Sequence, residues 1–325
     1  MFSLFCRTNL RRLPRSTSTD HTAAGPFPGL LPYDGSTAGH FRGRSRQVDD
    51  LLSILQGSRF VGLVGPEGAG KTSLLMAGLV PALQRGFKGA AGTGWRVCHC
   101  RPGITPVENL AFALAGVGAR DEGLSLERQL DFTAMFRADH SGLIRAVASL
   151  DLPPGQNLLI CIDGFEELFE LSGKYLPDMN SGQEAELLVS NIARLLGAPG
   201  LPVYVLVTLR SGHIPSLYNF RSLHPYLGTG LYTVPMFRSD DFRDIVCHGL
   251  HASGLEPAEE VVASLREQFG QDLRHLPALQ AWLRRAAERY RPPPDAEGRV
   301  PLTASALSVL GPLDAGVPDL LEAFH

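Results

Sequence analysis

Residues 58–83 read SRFVGLVGPEGAGKTSLLMAGLVPAL. Residues 59–64 form an apolar, β-branched run of strand length, and residues 72–84 carry the apolar spacing of a helix. Between them, Gly65-Pro66-Glu67-Gly68-Ala69-Gly70-Lys71-Thr72 matches G-x-x-x-x-G-K-[ST] in the strand, turn and helix setting that the pattern requires. The glycines let successive backbone N–H groups turn inward onto phosphate oxygens, and the helix start adds its positive dipole end at the same spot. Lys71 is expected to bridge β- and γ-phosphates and Thr72 to ligate Mg²⁺, with Gly65, Pro66, Glu67, Gly68, Ala69, Gly70, Lys71, Thr72 and Ser73 as the nucleotide-binding run. The alternative is a glycine-rich turn arising by chance.

Outward from this stretch, a helical pattern at 48–55 precedes the loop, and strand candidates follow at 95–100, 158–163, 203–209 and 231–234. Helical patterns at 106–115, 126–150, 183–196 and 213–222 separate them, an alternation that predicts an α/β fold with a parallel sheet. After Pro235 the strands are expected to stop. Helical patterns at 239–252, 257–269 and 276–290 predict a small all-helical domain, entered through Ser239, Asp240 and Asp241, which suit a helix N-terminus. The expected divisions are a basic disordered arm (1–27), the α/β domain (28–237), a helical lid (238–291), and a linker with a short tail (292–325). The arm holds Arg7, Arg11, Arg12 and Arg15 without an acid up to residue 19, a composition shared by transit peptides. The stretch GPFPGLLPY at 25–33 should run extended into the first domain, and the tail is too short to fold alone.

A hydrophobic share of 44%, a charged share of 19% and a formal net charge of −3 describe an ordinary globular chain and do not indicate a nucleic-acid partner. Apolar stretches such as 158–162 and 203–207 are far short of the roughly 20 residues of a membrane helix. Five scattered cysteines without C-x-x-C spacing fit neither a disulfide framework nor a zinc module, and point to a cytoplasmic protein. Only three of the 30 basic residues are lysines, one of them Lys71.

A phosphate loop needs a carboxylate for the metal at the end of a neighbouring buried strand. Residues 158–162 lead into Asp163, which is expected to hold Mg²⁺ through water. Glu166 and Glu167 follow, and either one can swing back to polarise the attacking water; as a plain alternative, both are solvated acids at a helix start. Arg210 ends the apolar run 203–209 and so reaches the carboxyl edge where open α/β sheets bind ligands. It is either a sensor of the γ-phosphate or an ordinary strand-end arginine. No N-K-x-D or T-K-x-D tetrad is present, which favours ATP over GTP.

Several segments together resemble one family, the novel STAND NTPases of the first type (signal transduction ATPases with numerous domains), related to the AAA+ P-loop ATPases. The resemblance covers about residues 28–318. It rests on PGLLPYDG (28–35), FRGRSRQVDDL (41–51), the run 58–83, WRVCHCRPG (95–103), LLICIDGFEELFE (158–170), VLVTLRSG (205–212) and GLYTVPMF (230–237). It implies a five-stranded parallel core ordered 5-1-4-3-2, a helical lid, and a winged-helix region that starts at PLTASALSVLG (301–311). It also implies that Gly43 and Arg44 lie beside the nucleotide and that Pro277, in HLPAL, closes over the base. Two positions depart from the family pattern: Gly212 where an Asp is common, and Arg274 or His275 where the lid motif has a Gly. The implied function is a switch, closed with ADP, open and self-associating with ATP, which hydrolyses ATP weakly with Mg²⁺ and whose sensor and effector parts are either missing or supplied by another chain.

Two other readings use the same motifs. One is an AAA+-like mechanical ATPase acting on DNA or protein; the other is an adaptor that binds nucleotide without hydrolysing it. Three further features are read as structural. In Cys98-His99-Cys100, neighbouring residues point to opposite strand faces and cannot converge on a metal. His248 and His251 share a helix face but lack a third ligand, and the arginines at 284, 285, 289 and 291 suit a solvated helix face.

Overall fold

The computed structural model describes residues 26–118, 122–170, 181–293 and 298–313. Most of the predicted arm (residues 1–25) and the end of the tail (314–325) lie outside the described residues. The elements in chain order begin with α1 (Ser45–Gly57), β1 (Phe60–Gly65), α2 (Lys71–Ser73), which continues through a π-helical stretch at Leu74–Leu79 into α3 (Val80–Gln84), and β2 (Gly94–Cys100). Next come α4 (Pro106–Ala115), α5 (Glu122–Ala138), α6 (Gly142–Ala148), β3 (Gln156–Ile162), α7 (Glu167–Glu170), α8 (Ser181–Gly197) and β4 (Val203–Arg210). Then α9 (Ile214–Leu217), α10 (His224–Gly230) and β5 (Leu231–Thr233) complete the α/β part. Beyond it lie α11 (Ser239–Ala252), β6 (Leu255–Pro257), α12 (Glu259–Phe269), α13 (Leu276–Arg289), β7 (Val300–Leu302) and α14 (Ser305–Leu310).

Strands β1 to β5 form one parallel sheet in the order β2-β3-β4-β1-β5, the 5-1-4-3-2 order read in the other direction. Parallel neighbours need crossover helices, and these cover both faces, so the central strands β1, β3 and β4 are buried along nearly their whole length. On β4, Tyr204 and Leu206 face one core with α1 and the lid, while Val203, Val205, Val207 and Leu209 face the other with α4, α6 and α8. The register Gly65↔Arg210 sets the ends of β1 and β4 level, and Ile162↔Val207 ends β3 three residues short of β4, so that Asp163 comes to lie beside Thr208 at the same edge.

Three predicted helices or boundaries differ. The single helix expected over 126–150 is two, because the Asp139 carboxylate accepts from Ser141 N at 2.7 Å and so competes with the helical ladder. The chain also turns back there: a Cβ on Gly142 would lie 1.9 Å from the Met135 carbonyl oxygen. The helix expected over 213–222 is broken into a 3-10 turn at Ser211–His213, α9, a second 3-10 turn at Arg221–Leu223, and α10. Pro215 and Pro225 each stand in the first turn of a new helix, where a missing N–H costs nothing.

Strands do not stop after Pro235. β6 and β7 pair in parallel (Leu255↔Val300, Pro257↔Leu302), so residues 300–313 are an integral layer of the lid. Leu302, Ala306 and Leu313 are buried in the same cluster as Trp282, whose Nε1 donates to Gly311 O at 3.0 Å. Three-residue strands that contain Pro257 and Pro301 carry no period-two signal to read. Leu302 is fully buried, so Leu302→Ala should cost about 2–5 kcal/mol. In a chain of this size that lowers the melting temperature by roughly 3–7 °C, a shift read by thermal unfolding. An unchanged melting temperature would show that the tail adds nothing to the lid.

Candidate nucleotide site

The loop after β1 is shaped by its glycines. Gly68 and Gly70 have φ of +73° and +79°, which L side chains rarely adopt, and a Cβ at either would press on the lid. Ala69 N donates to Pro66 O at 3.3 Å and Leu74 N to Gly70 O at 2.8 Å. Among the described residues nothing accepts from the backbone amides of Gly68, Gly70, Lys71 or Thr72. A row of donors at a helix start is the donor set that a polyphosphate requires. Lys71 Nζ donates to Gly65 O at 3.0 Å and to Pro66 O at 2.9 Å. Burial lowers its pKa, opposed by the carboxylates of Glu166, Asp163 and Glu67.

Asp163 follows β3 directly and is 6% exposed. Thr72 Oγ1 lies 3.0 and 2.9 Å from its two carboxylate oxygens, and Thr208 Oγ1 donates to Oδ1 at 2.6 Å while accepting from Gly164 N at 2.8 Å. A hydroxyl and a carboxylate converging beside an amide cradle are hard oxygen donors, the set that suits Mg²⁺. The residues present therefore fit a magnesium nucleotide. Thr208 was missed in the sequence reading, although β4 runs beside β3 and places it next to Asp163.

The two glutamates part company. Gly164 (φ +79°) turns the chain, and Phe165 N donates to Thr208 O at 2.8 Å, so the next two side chains point to opposite sides. Glu166, 5% exposed, takes Arg210 Nε at 3.0 Å and Arg210 N at 3.2 Å, beside Lys71. Glu167 turns toward β2, pairs with Arg101 at 2.6 Å and accepts from Gly103 N at 2.9 Å. Arg210 Nη2 also lies 3.3 Å from Glu67 Oε1, so this cation bridges the loop and Glu166.

Arg44 is 3% exposed. Its guanidinium donates to Pro235 O at 2.7 Å and Ala69 O at 3.5 Å and lies 3.6 Å from the centre of the Phe237 ring. Burial lowers its pKa to about 10, so it stays charged at neutral pH, held by carbonyls and an aromatic face. Gly43 (φ +76°) lets α11 approach: a Cβ there would lie 2.6 Å from Ile245 Cγ1 and 2.8 Å from Asp241 O. At the other side of the loop, Pro277 Cγ lies 3.1 Å from where a Gly68 Cβ would be, and Leu276 Cδ2 3.1 Å from a Gly70 Cβ. The start of α13 thus rests on the glycine loop. Ser73 Oγ accepts from Tyr33 N at 3.1 Å. Of the positions that depart from the family pattern, Gly212 is exposed with nothing within 4 Å of a Cβ, Arg274 pairs with Asp272, and His275 Nδ1 lies 2.9 Å from Phe269 O.

Of the features read as structural, Cys98-His99-Cys100 ends β2 at this same edge, where Asp163 N donates to Cys100 O at 2.8 Å. Cys98 and Cys100 are buried, in the core opposite the lid. His251 contacts Glu256 at 3.1 Å, and Arg284 pairs with Glu288.

A five-stranded parallel sheet in this order, with a glycine loop after β1 and a carboxylate after β3, defines a P-loop NTPase. The chain matches the family described as Novel STAND NTPase 1 over residues 26–317, and it belongs to that family. Nucleotide binding follows from this membership. No curated protein matches the chain. Among solved structures, it is similar to the Walker-type ATPase PABY2304 of Pyrococcus abyssi, at 16% identity and a TM-score of 0.50, over 88% of this chain and 76% of that one. It is similar to the Aeropyrum pernix ORC2 protein, solved as ADPNP and ADP complexes, at 14% identity and a TM-score of 0.50, over 86% of this chain and 68% of that one. The Aeropyrum pernix ORC1 protein in complex with DNA matches at 20% identity and a TM-score of 0.48, over 83% of this chain and 65% of that one. Likeness at such identities concerns the fold alone. No helix among the described residues is long and apolar enough to cross a membrane.

Proposed function

We propose that the chain is an ATP-dependent switch of the STAND type: ADP keeps the lid closed on the loop, and ATP opens it and promotes self-association. The observation that carries this reading is the seat of Leu276 and Pro277 on Gly68 and Gly70, because it puts the lid in contact with the residues that hold the phosphates. A ligand can shift an equilibrium only by binding its two states unequally, and a lid resting on the phosphate loop meets that condition. Gly43 and Arg44, between the loop and α11, and Pro277, above the loop, are assigned to the nucleotide's flanks.

In this reading the amides from Gly68 to Thr72 and the Lys71 ammonium bind the phosphates, and Thr72 and Asp163 hold Mg²⁺ with Thr208 orienting the carboxylate. The metal supplies neutralisation of charge on the β- and γ-phosphates. Glu166 orients a water and takes its proton as the new oxygen–phosphorus bond forms and the bond to the β–γ bridging oxygen breaks. Arg210, held between Glu67 and Glu166, lies where a γ-phosphate can compete for its guanidinium. Sensor and effector partners would supply input and output, in signalling within the cytoplasm.

The test compares mass in solution and turnover. With a non-hydrolysable ATP analogue the protein should form multimers, with ADP it should stay smaller, and hydrolysis should be slow with ADP retained. Identical mass in both nucleotides overturns the switch. Sustained turnover stimulated by DNA or unfolded protein would instead identify a mechanical ATPase.

A further inference from the structure

Residues 26–33 run from the lid to the phosphate loop and touch both. At one end Phe27, 4% exposed, packs against α11, so close that a Cβ on Gly249 would sit 2.3 Å from its ring. Further along, Arg284 of α13 donates to Pro28 O at 3.4 Å. At the other end Tyr33 N donates to Ser73 Oγ at 3.1 Å, next to Thr72 in the loop helix. The Tyr33 hydroxyl lies 2.9 Å from Pro26 O and 3.0 Å from Gln280 Oε1, in buried surroundings. A phenol has one proton, so both contacts form together when the Gln280 amide is turned to present its nitrogen to the phenolic oxygen. The ring itself rests on Phe41, with centroids 5.6 Å apart.

Gln280 stands three residues after Pro277 on α13, so the two share a helix face. Pro277 touches Gly68, and Gln280 touches Tyr33. Lifting the lid off the glycine loop while Tyr33 stays on Ser73 parts its hydroxyl from Gln280, a side chain that is 7% exposed in the closed arrangement. In buried surroundings a hydrogen bond is electrostatically stronger than in water, so parting this one adds to the barrier to opening.

We propose that Tyr33 is a positioning residue that latches the lid onto the phosphate loop and so sets the rate at which nucleotide leaves. This rests on the nucleotide-switch reading above. Tyr33→Phe keeps the ring on Phe41 and removes the hydroxyl; Gln280→Leu keeps the volume and removes the amide. In stopped-flow displacement of fluorescent ADP from the full chain, each variant should release nucleotide about 5- to 30-fold faster, from the loss of one buried hydrogen bond. Because both remove one contact, the double variant should be no faster than about twice the faster single variant, not the product of the two. Leu143→Ala, in the core on the opposite sheet face, serves as the control: it should lower the melting temperature and leave release unchanged. Release within twofold of the unaltered chain for both single variants, effects that multiply, or equal acceleration by Leu143→Ala would each overturn the latch. Failure of the unaltered chain to bind fluorescent ADP would instead overturn the switch reading, and the latch with it.

Discussion

Lys71→Ala should weaken ATP and ADP binding by about 100- to 10,000-fold, since it deletes about two charge-assisted hydrogen bonds to phosphate. The ammonium sits at the mouth of the amide cradle, and its present partners are the Gly65 and Pro66 carbonyls. These acceptors lie in a half-buried setting, so truncation should leave the fold and the melting temperature of the nucleotide-free protein close to the original. Calorimetric titration with magnesium-ATP and with ADP, alongside thermal unfolding, checks both parts. Affinity within threefold of the unaltered chain, in a folded variant, would remove the phosphate role from this loop.

Glu166→Gln and Glu167→Gln should separate cleanly. The first is expected to slow hydrolysis by about 10²- to 10⁴-fold, the usual contribution of a positioned general base, while ADP affinity stays within a few fold. The second should leave hydrolysis within about fivefold, because Glu167 is turned to Arg101 and Gly103 and an amide oxygen can still accept from Gly103 N. Single-turnover hydrolysis with γ-labelled ATP distinguishes them. Glu67→Gln controls for the loosening of Arg210, since it removes another carboxylate from that cation and leaves Glu166 in place. If Glu167→Gln proves the inactive one, the assignment of the base to Glu166 falls.

The two glutamates also mark the limit of what a linear reading gives. Adjacent acids after a buried strand look equivalent, and only the turn at Gly164, with Phe165 N tied to Thr208 O, sends one to Arg210 and the other to Arg101. Thr208 escaped notice for a related reason: it lies inside an apolar strand, 45 residues from the carboxylate it orients. The break between α5 and α6 and the pair β6 and β7 were lost differently. A short polar side chain that captures a backbone amide, or a three-residue strand completed by a segment 45 residues later, leaves almost no period in the sequence.

The sequence by itself determined the parallel α/β class, the amide cradle from Gly65 to Thr72, and Asp163 and Arg210 at strand ends. Those features depend on local periodicity and on residue types that follow one another, so they survive without neighbours. Only the tertiary structure decided that Glu166 pairs with Arg210, that the start of α13 rests on Gly68 and Gly70, and that Tyr33 joins Ser73 to Gln280. Contacts between groups as much as 247 residues apart arise from how helices pack on the sheet, and no local preference encodes that packing.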